Sequence, residues 1–159
     1  MGGGVSERSL HIPIVCWNTS ATIAAFLCLL QLGAMASLLV HRSAFAFIAP
    51  MALMAALLIG YWLARREGLR GSTCWYPGGL TLILLTSSLL LSAFFCDFSW
   101  DGQWYHQTGI ILIAHDWNPL SEPMRDFTGS QFHCQLWLRH YAKGPWYAAA
   151  AIFATTGQI

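Results

Sequence analysis

The sequence predicts an all-α membrane protein with three complete transmembrane helices, an exoplasmic loop carrying a short amphipathic helix, and a partial fourth apolar helix. Three observations carry that expectation. Of 159 residues, 56% are hydrophobic and only 9% charged, where a soluble domain carries about 25% charged residues. The stretches Ile14 to Val40, Ser43 to Ala64 and Gly71 to Cys96 contain no charged residue, and each reaches the roughly 20 residues that cross a bilayer core. Aromatic side chains, Trp17, Trp62, Trp75 and Tyr76, fall near the ends of these stretches, as interfacial aromatics do.

Within the apolar stretches the spans are expected near 17–40, 44–64 and 77–96. Pro77-Gly78-Gly79 opens the third. Pro50 falls inside the second, where membrane helices tolerate a kink. Residues 109–114, Gly-Ile-Ile-Leu-Ile-Ala, read as part of an amphipathic helix lying on the membrane or against the bundle. A last apolar run, Pro145 to Ile159, opens on a proline suited to a first helical turn. Its 15 residues are short for a span, and it reads as the start of a fourth membrane helix. The chain therefore divides into a three-helix membrane region (1–96), a loop (97–144) and that helix start (145–159).

Charge is nearly balanced, at +1, and no basic block suggests nucleic acid. Its distribution says more. Arg65-Arg66-Glu67-Gly68-Leu69-Arg70 is the most basic connection, and the positive-inside rule places it in the cytoplasm. The N-terminus with Arg8 then lies inside as well. The His41-Arg42-Ser43 turn and residues 97–144 lie outside, facing a periplasm or other exoplasmic space. A bacterial inner membrane is the expected location.

Smaller motifs point elsewhere only weakly. The first apolar run is too long for a cleavable signal peptide. Met1-Gly2 with Ser6 matches a myristoylation pattern, as a Gly-rich start does by chance. Asn18-Thr19-Ser20 is a glycosylation sequon at a helix edge, poorly placed for use. Of five cysteines, Cys16, Cys28 and Cys74 read as small buried residues. Cys96 and Cys134 could pair outside the membrane, which spacing alone does not establish.

The loop opens on a dense polar cluster, Asp97-Phe98-Ser99-Trp100-Asp101-Gly102-Gln103-Trp104-Tyr105-His106. Two carboxylates four residues apart can share a helix face or converge from an irregular loop. Carboxylates act as general bases against a hydroxyl, or as ligands for a hard cation. Trp100, Trp104 and Tyr105 could stack on a sugar ring. The plainer reading is interfacial aromatics beside solvated aspartates at a helix end. His106, His115, His133 and His140 could join Asp101 in a metal site, but their spacing fits no zinc signature. His11 and His41 sit at span ends, which disfavours a haem-carrying bundle. Arg139 and Lys143, just before the last apolar run, could hold a lipid phosphate or diphosphate, or snorkel at the interface.

The string Trp100-Asp101-Gly102-Gln103-Trp104-Tyr105-His106-Gln107, followed by His115-Asp116-Trp117-Asn118-Pro119, resembles the first large exoplasmic loop of GT-C polytopic membrane glycosyltransferases. His140-Tyr141-Ala142-Lys143-Gly144-Pro145-Trp146 is similar to the segment leading those chains into their next helix. The resemblance covers residues 95–159. It implies that Asp101, or Asp97, is the general base toward an acceptor hydroxyl while a sugar leaves a polyprenyl-phosphate donor. It makes His106, Tyr105, Trp104, Arg139 and Lys143 the substrate-binding candidates, the two cations facing the donor phosphate. Both aspartates could instead hold a divalent cation such as Mg or Mn. The chain departs from the family in placing three spans before this loop and in a glycine missing from the Trp-Asn-Pro turn. Family members have many more spans, so the chain reads as the N-terminal part of such a protein, inactive alone, with a partner subunit or further sequence supplying the remaining helices. The alternative is a small non-enzymatic accessory or assembly protein whose aromatic, acidic loop binds a partner or lipid.

Overall fold

The computed structural model describes residues 7–40, 45–94, 106–115, 117–121 and 144–157. The protein is an all-α membrane protein. Its helices are α1 (Glu7–Leu39), α2 (Phe45–Arg66), α3 (Tyr76–Phe94), α4 (Gln107–Ala114) and α5 (Gly144–Thr156), with a 3-10 turn at Gly71–Trp75 leading into α3. No strand occurs among the described residues. Three segments, Ile12–Leu39, Ala46–Arg66 and Gly71–Ser92, are long and apolar enough to cross a membrane.

The helix α1 starts at Glu7, ahead of the apolar run, and passes through Pro13. Pro13 is the seventh residue of the helix and has no N–H for the Ser9 carbonyl, so it removes one internal hydrogen bond from the second turn. Polar residues inside the span place their donor groups on backbone carbonyls along the helix. Asn18 donates to the Ile14 carbonyl (3.0 Å), Thr19 to Val15 (2.8 Å), Ser20 to Cys16 (3.1 Å) and Thr22 to Asn18 (2.7 Å). Back-bonding of this kind lets hydroxyls and amides sit where no water can reach them. Asn18 is fully buried, so its sequon is closed to modification in the folded chain.

Between membrane helices the apolar surroundings offer no hydrophobic drive, and close packing of small residues holds the helices together. Gly33 lies against Ile48, where an added Cβ would come within 2.9 Å of Cγ2. Gly60 lies against Thr22, whose Oγ1 occupies the place a Cβ would take. Residue 33 meets 48 while 22 meets 60, so α1 and α2 run antiparallel. The core at the Leu39 end joins Phe26, Leu30, Ala34 and Leu38 of α1, Ala52 and Ala56 of α2, Ile110 and Ile113 of α4, and Trp146, Tyr147, Ala150 and Ala151 of α5. The α1 residues recur every four positions, one face of the helix. A second, smaller core at the opposite end contains Ala64, Leu69 and Cys74, with Ile14, Val15 and Tyr61 against them.

The turn between α2 and α3 closes by a Schellman motif. Leu69 N–H donates to the Ala64 carbonyl (3.0 Å) and Gly68 N–H to Arg65 (3.2 Å). Gly68 supplies the φ of +93° that this cap requires. Leu69, 1% exposed, packs on Ala64 beneath it, and the Cys74 thiol donates to the Leu69 carbonyl (3.1 Å).

The helix α5 has 13 residues and is about 20 Å long, less than a bilayer core of about 30 Å. It rests on α1 and α2 near the Leu39 end, with α4 packed against it. Residues 109–114 thus form part of a helix lying against the bundle. The proline at Pro50 leaves the Ala46 carbonyl without its helical N–H partner. Thr155 Oγ1 of α5 stands 3.1 Å from that oxygen and 2.9 Å from Ala151 O, its one proton serving both.

Candidate functional site

Of the residues that sequence singles out for chemistry, Asp97, Asp101, Trp104, Tyr105, Arg139 and Lys143 lie outside the described residues. So do Cys96, Asp116, His133, Cys134 and His140. His106 is described, and it sits at the start of α4 facing α5. The Trp146 indole N–H donates to His106 Nδ1 at 2.7 Å. The rings meet edge to face, with centroids 5.6 Å apart and planes at 83°. Trp146 is 3% exposed. An Nδ1 that accepts this hydrogen bond leaves the neutral ring's proton on Nε2, which makes that edge a donor.

The position of the two rings follows from local structure. Gly144 and Pro145 open α5, and proline at the second position costs the helix nothing. Trp146 then falls on the face shared with Tyr147, Ala150 and Ala151. On α4, Ile110 and Ile113, three apart on one face, pack into the same core. The two helices are fixed by apolar burial, and the indole–imidazole bond joins their first turns.

The Trp117-Asn118-Pro119 segment ends α4 in a turn and ties that turn to α1. His115 N–H and Trp117 N–H both return to the Leu112 carbonyl (3.2 and 2.9 Å) and end α4. Asn118 then begins a turn with Pro119 at its second position, closed by Ser121 N–H to Asn118 O (3.2 Å). The Asn118 Oδ1 accepts from Leu120 N–H (3.0 Å) and its Nδ2 donates to the Leu38 carbonyl (2.6 Å). Leu38 belongs to the last turn of α1, whose carbonyls lack helical partners. Asn118, 6% exposed, therefore caps a helix eighty residues away. Sequence reasoning missed that anchor, although Asn-Pro announces the turn.

Three buried polar atoms have no partner among the described residues: Asn18 Oδ1, Thr81 Oγ1 and Trp117 Nε1. Cys16, Cys28 and Cys74 are unpaired thiols. Cys74 is buried as expected, while Cys16 and Cys28 face outward from α1. Among the described residues no three His, Cys, Asp or Glu side chains gather as a metal site would need.

At the opposite end Arg65, Arg66 and Arg70 are exposed. Arg65 Nη1 reaches Tyr61 Oη (3.5 Å), and Arg66 lies over the Trp62 ring, 5.2 Å from its centroid. Tyr61 in turn stacks on Trp75, centroids 4.6 Å apart. Comparison of the chain with known protein families, curated proteins and solved structures finds no match.

Proposed function

We propose that the chain is the N-terminal, donor-handling part of a GT-C-type polytopic membrane glycosyltransferase, working at the exoplasmic face with helices supplied by further sequence or a partner subunit. The observation that carries this reading is the His106–Trp146 hydrogen bond. It ties the residue that ends the acidic, aromatic cluster to the residue that ends the basic one. Asp101 precedes His106 by five residues and Lys143 precedes Trp146 by three. Extended chain covers at most about 3.6 Å per residue, so a carboxylate and a cation are tethered to the same contact. In the proposed reaction an Asp101 carboxylate takes the proton of an acceptor hydroxyl. The acceptor oxygen bonds to the anomeric carbon, and the bond from that carbon to the donor phosphate breaks. Arg139 and Lys143 hold the departing polyprenyl phosphate, and Trp104 and Tyr105 hold the sugar.

The test measures two steps. Full-length chain in phosphatidylcholine nanodiscs should retain a polyprenyl-phosphate sugar, and Arg139→Gln with Lys143→Gln should lower retention about tenfold or more. Asp101→Asn should keep retention and abolish sugar transfer in membranes that express the variant. Equal retention by the double variant, or undiminished transfer by Asp101→Asn, overturns the reading.

The accessory-protein reading draws on α3. Leu82, Ile83, Leu84, Leu89, Leu90, Leu91 and Phe94 are exposed around the helix, and so are Thr86, Ser87 and Ser88, whose hydroxyls have no partner among the described residues. Hydroxyls within a span can bond across to another helix. Cross-linking through cysteines placed at Ser87 and Ser88 distinguishes the two: capture of a partner helix with intact biology in Asp101→Asn favours the accessory role.

A further inference from the structure

We infer that the α2–α3 turn is a binding site for the headgroup of an anionic phospholipid, with Arg65, Arg66 and Arg70 as its cations. This stands independently of the glycosyltransferase reading, since it uses the other end of the bundle.

Three features support it. The first is unopposed charge. Three exposed arginines fall within six residues, and among the described residues none pairs with a carboxylate, the neighbouring Glu67 included. A guanidinium offers a fork of N–H donors that matches phosphate oxygens. The C-terminal turn of α2 carries Arg65 and Arg66, where the helix dipole favours cations and holds them in place.

The second is rigidity. A lipid site built on a loose loop would lose its donors to solvent, whereas this turn is fixed by the Schellman pair at Gly68 and Leu69 and by the Cys74–Leu69 bond. The arginine stems are guided as well, Arg65 by Tyr61 and Arg66 by Trp62. Tyr61 is itself braced by Trp75. Preorganised donors lose less entropy on binding than free side chains do.

The third is depth. Trp62, Trp75 and Tyr76 are 55%, 58% and 57% exposed, and each lies within six residues of one of the arginines in sequence. Indole and phenol rings settle at the headgroup level of a bilayer. The guanidinium groups therefore meet lipid phosphates, not free anions in bulk water. Phosphatidylcholine has a phosphate but also a choline cation that opposes the arginines, so the site should prefer lipids with net negative charge. Under the positive-inside expectation this end meets the leaflet that is richest in them.

The experiment is native mass spectrometry of the full chain in neutral detergent, with dioleoyl phosphatidylglycerol and dioleoyl phosphatidylcholine at equal concentration. Each arginine near an anionic surface contributes about fivefold, so wild type should retain phosphatidylglycerol at least about tenfold over phosphatidylcholine. The Arg65→Gln, Arg66→Gln, Arg70→Gln variant should retain both equally. The matching Arg→Lys triple variant should keep part of the preference, because charge remains and the fork is lost. High salt should weaken the preference of the wild type, a readout that needs no variant to fold. Equal retention of the two lipids by wild type, a preference that survives the three glutamines with helicity unchanged, or one insensitive to salt each overturns the inference. Displacement of phosphatidylglycerol by millimolar inorganic phosphate also overturns it, by showing a free-anion site.

Discussion

Thr155 hydrogen-bonds across helices to the carbonyl oxygen of Ala46 (3.1 Å), the one acceptor in α2 that Pro50 leaves without its backbone donor. A defect in one helix thus becomes a docking point for another. Replacing Thr155 with valine keeps its shape and removes the donor. It should cost about 1 kcal/mol in unfolding free energy. In a Pro50→Ala background the new backbone N–H at position 50 restores the helical bond to Ala46, and Thr155→Val should then cost only a few tenths. Thermal unfolding of the four variants in detergent measures both. An equal loss in the two backgrounds would show that Thr155 acts through Ala151 alone.

The indole–imidazole bond at the start of α4 and α5 should be energetically real. His106→Phe keeps an aromatic ring and removes the acceptor, while Trp146→Phe removes the donor. A double-mutant cycle should give a coupling of about 1 kcal/mol. Additive losses within error would mean that apolar burial of Trp146 holds the two helices together by itself, and would withdraw the structural support for a shared acidic and basic rim.

Asn118 joins a loop to the end of α1 through one buried amide. Asn118→Ala should cost about 1–3 kcal/mol, because the Leu38 carbonyl is left buried without a donor. Asn118→Asp should cost more, since it sets a carboxylate beside a carbonyl oxygen. Hydrogen exchange at the last turn of α1 should rise in both variants. Unchanged protection there would show that the Leu38 carbonyl finds another donor.

How much of this was legible in the sequence differs by residue. The three spans follow from uninterrupted apolar composition, and the first helix starts ten residues ahead of the expected position 17 because helices continue past the apolar run. The helix at Glu7 illustrates this, as it continues through polar residues ahead of Ile12. The helix through Ile110 and Ile113 was legible because its apolar residues have nowhere to go except the membrane or the bundle. The contacts that fix α4 and α5 were not. Trp146 to His106 spans forty positions and Asn118 to Leu38 eighty, and no local pattern records which distant acceptor a side chain will meet. Pro50 is an intermediate case. The carbonyl it orphans can be named from sequence, but the residue that satisfies it cannot.

Gly60 should be irreplaceable for as long as Thr22 faces it. Gly60→Ala gains about 1 kcal/mol in helix propensity, but the new Cβ falls on Thr22 Oγ1, and forcing apart a packed pair costs about 1–3 kcal/mol. The net effect should be a lower unfolding temperature. Removing the hydroxyl in Thr22→Ala should recover most of that loss in the double variant. If Gly60→Ala is as stable as wild type, α1 and α2 are less closely packed than the Thr22–Gly60 contact requires.

Trp117 and Trp146 form a matched pair for a last comparison. Both indole nitrogens are shielded, but Trp146 Nε1 donates to His106 while Trp117 Nε1 has no partner among the described residues. A buried donor without an acceptor costs about 1–3 kcal/mol. Trp117→Phe removes that cost along with part of the ring, so its two effects oppose one another and the change in stability should stay within about 1 kcal/mol. Trp146→Phe loses ring volume and a hydrogen bond together, and both effects destabilise. It should therefore be the more damaging by about 2 kcal/mol or more. The order of the two unfolding temperatures decides the matter. If Trp117→Phe is the worse of the two, its indole has an acceptor elsewhere in the folded protein, and that acceptor becomes the contact to find.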